Sequence, residues 1–317
     1  MEKEYIIELN NFMTEFGLIK QLKPIYESIK SGHKIYLKII YNCGNFVNSE
    51  VYIILVAFFD YAKSQGVKIS ANYNFNQNCD TIEYAERINF FQLMDINYSS
   101  SNYRHPSNGN FLEIIKFDYN NGADITQDAV KCLKKHFPRT NNDDTDLINL
   151  VHQTFWELND NVMTHSDPHG KNLGSGFIYA QNYPQKDILK ICVVDTGIGI
   201  HSSLTKKPAY SKLTEKEALK ISLKKNTTST SNNLRGVGLF RVDQLLEANL
   251  GKLKIFTGNT QYIRNGGHTS ITTYPDVYWQ GTAIFISIKK ENPVSFSDIL
   301  GSATNNFYEN TLEEDLW

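Results

Sequence analysis

From Glu8 to Lys30 the apolar residues Leu9, Phe12, Phe16, Ile19 and Leu22 recur at helical spacing, and Ser31-Gly32 then supplies a stop. The spacing predicts an amphipathic leading helix. His33 to Tyr41 reads as a strand, Ser49 to Ser64 as a helix ending at Gly66, and Val67 to Tyr73 as a second strand. Val51 to Phe59 is the most apolar run in the chain, and as a helix it belongs in a core. A further helix is expected from Asp80 to Leu93. The segment that follows, Asn97 to Asn110, is rich in Ser, Asn and Tyr with a Pro and a Gly, which marks a boundary.

Beyond it, Phe111 to Phe117 reads as a strand and Ile125 to Phe137 as a helix closed by Pro138. Leu147, Val151, Phe155, Leu158 and Val162 make one apolar stripe of a longer helix, with Asp143, Asp144 or Thr145 as its cap. Phe177 to Ala180 and Leu189 to Val194 are expected strands, and Glu215 to Leu223 is a helical patch. Asn226 to Asn233 is a run of Thr, Ser and Asn suited to a mobile loop. Gly238 to Asn249 reads as a helix. Leu253 to Phe256, Tyr262 to Arg264, Thr269 to Tyr274 and Thr282 to Ile288 read as antiparallel strands. The expected fold class is α/β: a small α/β unit over 1–105, then an α+β two-layer sandwich over 106–295 with a lid at about 200–235. An acidic tail over 296–317 carries Leu312 and Trp317 as apolar anchors.

A chain of 317 residues with 41% hydrophobic composition is long enough for two cores. Its 32 basic and 34 acidic residues nearly cancel, so no global field draws it to nucleic acid or an anionic membrane. No stretch approaches the ~18 apolar residues of a membrane span. Cys43, Cys79, Cys132 and Cys192 lie far apart without CxxC spacing, which fits a reduced, cytoplasmic setting.

Three elements carry candidate chemistry. Glu157 and Asn161, four apart beside the apolar stripe, lie about 40° from each other around a helix and can face one cleft. A carboxylate there can orient water, and an amide oxygen is a hard ligand suited to Mg. Next, an apolar strand ends in Asp195-Thr-Gly197-Ile-Gly199, placing an acid at a strand mouth before a turn where backbone can approach a ligand closely. Asp-Thr-Gly is also a common turn. Third, Arg235-Gly236-Val-Gly238-Leu239 precedes a helix, and free N–H groups at a helix start can surround phosphate oxygens. His165 and His169 flank Asp167-Pro168, a geometry poor for a shared metal. Lys224 and Lys225 fit a solvated loop end, and they also stand where a closing lid could bring them to phosphates.

The order Glu157-Leu-Asn-Asp-Asn161 with His165, then Asp195-x-Gly197-x-Gly199, then Gly236-x-Gly238-Leu239, then Gly281-Thr282, resembles the gyrase, heat-shock chaperone, histidine kinase and MutL ATPases of the Bergerat fold. The resemblance implies ATP and Mg as cofactors. It makes Asn161 the Mg ligand, Glu157 the water-activating base and Asp195 the adenine reader. Gly197 and Gly199 would shape the nucleotide turn, Gly236 and Gly238 would hold the phosphates with Arg235 and Leu239 beside them among the ATP-binding residues, and Thr282 would assist near the base. It leaves three activities open: ATP hydrolysis, protein phosphorylation as in anti-sigma-factor kinases, and an ATP-gated binding module that does not turn over. A sensor histidine kinase ranks behind these. An unidentified protein partner is expected, and homodimerisation is open because several relatives close their lids as dimers.

The order of strand, Val47-Asn48-Ser49, apolar helix, Gly66, strand, then Tyr84 to Met94 resembles a STAS domain. In that family a Ser or Thr at the start of the helix can be phosphorylated, and Ser49 falls at the matching place. Ser49 is also an ordinary helix N-cap.

Overall fold

A computed structural model describes residues 2–10, 12–42, 47–74, 80–97, 111–118, 175–224 and 238–292, together with 121, 122, 124, 125, 127, 156, 159, 162 and 294. The chain opens with β1 (Glu2–Leu9), α1 (Glu15–Lys30), β2 (Lys34–Asn42), α2 (Ser49–Ser64) and β3 (Lys68–Asn74), and the three strands pair in parallel in the order β1-β2-β3. Parallel neighbours need a crossover, and α1 and α2 provide the two. Then come α3 (Asp80–Arg87) and α4 (Phe90–Leu93).

The leading helix expected from Glu8 is a strand followed by a helix. Tyr5-Ile-Ile-Glu-Leu9 alternates, with Ile7 and Leu9 buried and Ile6 exposed, a period of two that holds through the register with β2. Thr14 then starts α1, its side chain accepting from the Gly17 N–H. Phe12, taken for part of the apolar stripe, lies between the two elements and is exposed.

The remaining strands are β4 (Phe111–Asp118), β5 (Ser175–Tyr183), β6 (Ile188–Asp195), β7 (Lys252–Gly258), β8 (Thr260–Asn265), β9 (His268–Thr273) and β10 (Trp279–Lys289). They form one antiparallel sheet in the order β4-β5-β6-β10-β7-β8-β9. Three described helices, α5 (Gly199–Leu204), α6 (Glu215–Ser222) and α7 (Gly238–Ala248), accompany it. The architecture is mixed α/β around a seven-stranded antiparallel sheet.

β6 buries alternate residues on opposite faces of the sheet. Ile191 and Val193 join Leu219 of α6 and Val242 and Leu245 of α7 in one core. Cys192 and Val194 join a second core that also holds residues of α1 and α2 and Leu37 of β2. That second core crosses the expected boundary in the sequence, because α1 packs against β10 and α2 against β5 and β6. Residues 51 to 58 of α2 are all buried, the fate of a helix apolar on every side.

Polar pairs fix the joint. Lys190 Nζ donates to Glu50 Oε1 at 2.7 Å, and the Tyr84 and Tyr179 hydroxyls meet at 2.7 Å. Burial works to raise the Glu50 carboxyl, but the charge and hydrogen bond of Lys190 outweigh it and hold it below the usual range. Ser49 belongs to this joint. Asn48 occupies the N-cap position, so Ser49 is the first helical residue rather than the cap, and it is buried with its hydroxyl on Glu50. A phosphate there would meet a carboxylate inside a closed interface. No helix among the described residues is long and apolar enough to cross a membrane.

Candidate functional site

β6 ends at Asp195, on the face of the sheet that bears α5, α6 and α7. The side chain is buried, and burial pushes its carboxyl up to about 7 against the opposing effect of hydrogen bonds from the Gly197 and Thr282 backbone and the Thr282 side chain. The Gly197 N–H reaches Asp195 Oδ1 at 2.8 Å, so the first residues of the turn fold back onto the acid.

The turn continues into α5 through Gly199, whose φ of +74° lies in the left-handed region. Space is short as well: a β-carbon on Gly199 would stand 2.9 Å from Thr257 Oγ1 and 3.2 Å from the Gly281 carbonyl. Thr257 Oγ1 also accepts from the Ile200 N–H at 3.1 Å, which seats the start of α5 on β7.

The third wall is β10. Its register against β7 shifts between Trp279, opposite Gly258, and Thr282, opposite Thr257, so Gln280 and Gly281 form a bulge. A β-carbon on Gly281 would overlap both the carbonyl and the carboxyl of Asp195. Gly281→Ala is therefore expected to cost about 1–3 kcal/mol of stability through overpacking, measurable as a lowered urea midpoint. An unchanged midpoint would mean that the two strands can separate there without loss.

On the other side, Asp195 pairs with Gly176 of β5. Val162, helical and buried, lies over that pair: a β-carbon on Gly176 would come within 2.6 Å of Val162 Cγ1. Trp156 and Asn159 are helical too, the first half-exposed and the second buried.

Among the residues expected to form the site, Asp195, Gly197, Gly199 and Thr282 come together at one end of the sheet. Gly238 opens α7 and is buried, while Leu239 packs into the core beneath that helix. Glu157, Asn161, Arg235 and Gly236 lie outside the described residues, as do His165, His169, Lys225 and the acidic tail. Lys224 is exposed after α6.

The first part of the segment read as a lid, Gly199 to Ser222, is built structure. Ala218 and Leu219 are buried, and the Glu215 carboxylate accepts from the Asn259 N–H at 2.7 Å, holding α6 on the β7–β8 hairpin. Residues 225–237 are outside the described set. Among the described residues no three His, Cys, Asp or Glu side chains are placed to hold a metal ion.

Two contributors were missed from the sequence. Thr257 showed only as the residue after an expected strand, and Trp279 donates its indole N–H to the Asp195 carbonyl at 2.9 Å. Nothing in the spacing of Trp279 marks that contact.

A carboxyl at a strand mouth can accept from an exocyclic amino group. Comparison with known proteins supplies no relative: no family model, no curated protein and no solved structure matches the chain.

Proposed function

We propose that the chain is a cytoplasmic Mg-ATP-binding regulatory protein with a Bergerat-type nucleotide site, which hydrolyses ATP to switch its conformation or its hold on a protein partner. The observation that carries this reading is the convergence on Asp195. The Gly197–Gly199 turn and the Gly281-Thr282 step at the edge of the β10 bulge, far apart in the chain, meet at one buried carboxyl on one face of an antiparallel sheet. Those are the segments the ATPase resemblance singles out for the base. Val162, which follows Asn161 directly, packs over the strand pair that ends at Asp195, so the Glu157–Asn161 motif adjoins a residue of the same face.

In this reading Asp195 accepts from the adenine amino group and the helix start at Gly238 faces the phosphates. Asn161 holds Mg, and Glu157 activates the attacking group. ATP supplies a γ-phosphoryl group whose transfer needs positioning and charge neutralisation more than covalent help from the protein.

The test uses γ-labelled ATP and Mg with the parent, Glu157→Ala and Asn161→Ala. The parent is expected to release phosphate, Glu157→Ala to bind ATP but lose at least about 100-fold in rate, and Asn161→Ala to lose Mg-dependent binding. Label transferred to an added protein would make the activity a protein kinase, and intact bound ATP would make it a nucleotide-gated binding module. Mg-ATP binding unchanged in Asn161→Ala would sink the site assignment.

A further inference from the structure

We propose that Trp279 is a positioning residue for Asp195, and that through it α1 supports the base-reading corner of the site; this rests on the ATP reading above. The ladder between β6 and β10 runs from Ile188–Lys289 to Val194–Ala283 and stops one pair short of Asp195. There β10 bulges, and the Thr282 amide, a donor that a continued ladder would draw on, goes to the Asp195 carboxyl. A buried carbonyl needs a donor of its own. The Asp195 carbonyl receives the Trp279 indole N–H, contributed from the other side of the bulge. One residue thus keeps the strand end fixed while the bulge frees Thr282 to hold the acid.

The indole is in turn held from the N-terminal unit. Trp279 is fully buried in the core shared with α1 and α2, and Tyr26 of α1 meets its ring edge-on, with centroids 6.2 Å apart and planes at 90°. Tyr26 is buried as well and also packs edge-on against Tyr278. The chain of contact runs from α1 through two aromatic rings to the backbone of the acid, with no side chain exposed to water along it.

The experiment compares binding of ATP with binding of inosine triphosphate, which lacks the amino group that Asp195 would read, by titration calorimetry. Trp279→Phe keeps most of the ring and deletes the N–H. The parent is expected to prefer ATP, and the variant to lose about fivefold of that preference, the worth of one neutral hydrogen bond, with little change toward inosine triphosphate. An indole that served only as filling would weaken both nucleotides alike and leave their ratio at the parent's value, which would overturn the proposal. A parent that binds neither nucleotide would overturn the ATP reading itself, a result distinct from an unchanged ratio. If Trp279→Phe does not fold, 5-fluorotryptophan in the otherwise intact protein serves instead. The Trp279 fluorine resonance, assigned with Trp156→Phe and Trp317→Phe, is expected to move on saturation with ATP, and a resonance that ATP leaves in place would refute the link.

Discussion

Asp195→Asn is expected to give a protein that gains stability over its parent as pH rises, the gap widening by about 4 kcal/mol between pH 4 and pH 8, and that reads adenine less selectively. The sign follows from the acid's surroundings. Burial raises the Asp195 carboxyl from an ordinary 3.8 to about 7. Well below pH 4 the folded and unfolded chains both hold the proton, and the raised value costs nothing. As pH climbs toward 7 the unfolded chain releases its proton while the folded one keeps it, so stability is lost steadily until the folded group also ionises. The shift of about three units, at 1.36 kcal/mol each, sets the size. Asparagine keeps an oxygen for the Gly197 N–H and carries no charge into the core. Urea titrations of both proteins across this pH range read the gap directly, because every other titrating group is common to the two. A gap independent of pH would show that Asp195 ionises normally. A variant both more stable and less selective would mark the acid as retained for a ligand rather than for the fold.

The second large effect is expected at Asp243, where replacement by Ala should cost about 3–5 kcal/mol. Arg264 donates through Nε to Asp243 Oδ1 and through a terminal nitrogen to Oδ2, both at 2.6 Å, and the Tyr262 hydroxyl adds a third bond at 2.6 Å. All three residues are buried. The cluster clamps α7 to β8, and α7 is the helix whose first residue, Gly238, faces the phosphates in the proposed site. Deleting the carboxylate leaves a buried guanidinium that cannot lose its proton, with the Gly266 carbonyl and the half-exposed Glu247 as its remaining partners among the described residues. Asp243→Leu combined with Arg264→Met removes both charges and should recover most of the loss. A double-mutant cycle in urea measures the coupling, and a single-site cost under about 1 kcal/mol would show that water or a shifted Glu247 replaces Asp243.

Much of the fold was readable from periodicity, and the gaps have physical causes. α2 runs from Ser49 to Ser64, the bounds its apolar run and Gly66 suggest, since a helix apolar on all sides admits few alternatives. β1 was lost because Leu9 and Phe12 also fit the helical spacing of α1, and a strand of five alternating residues competes poorly with a longer stripe. α5 was missed because six residues after a glycine turn carry too little pattern. At the candidate site, the acid and its glycines could be singled out because the chemistry sought there asks for particular residue types. The bulge, Thr257 and Trp279 were not, because they depend on how β10 passes β6 and β7, and register between distant strands has no local signature. Nor could the run from Val51 to Phe59 say what would bury it.

What does bury it has a bearing on ancestry and engineering. A helix that serves as interior for two sheets makes each of them the other's cover. Swapping the N-terminal unit for that of another protein would strip an apolar floor from β5, β6 and β10, the strands that end at the proposed nucleotide site. The two parts are therefore not interchangeable cassettes. Sequence change on either side of α2 must be matched on the other, and a chimaera would have to carry α1 and α2 along with the seven-stranded sheet.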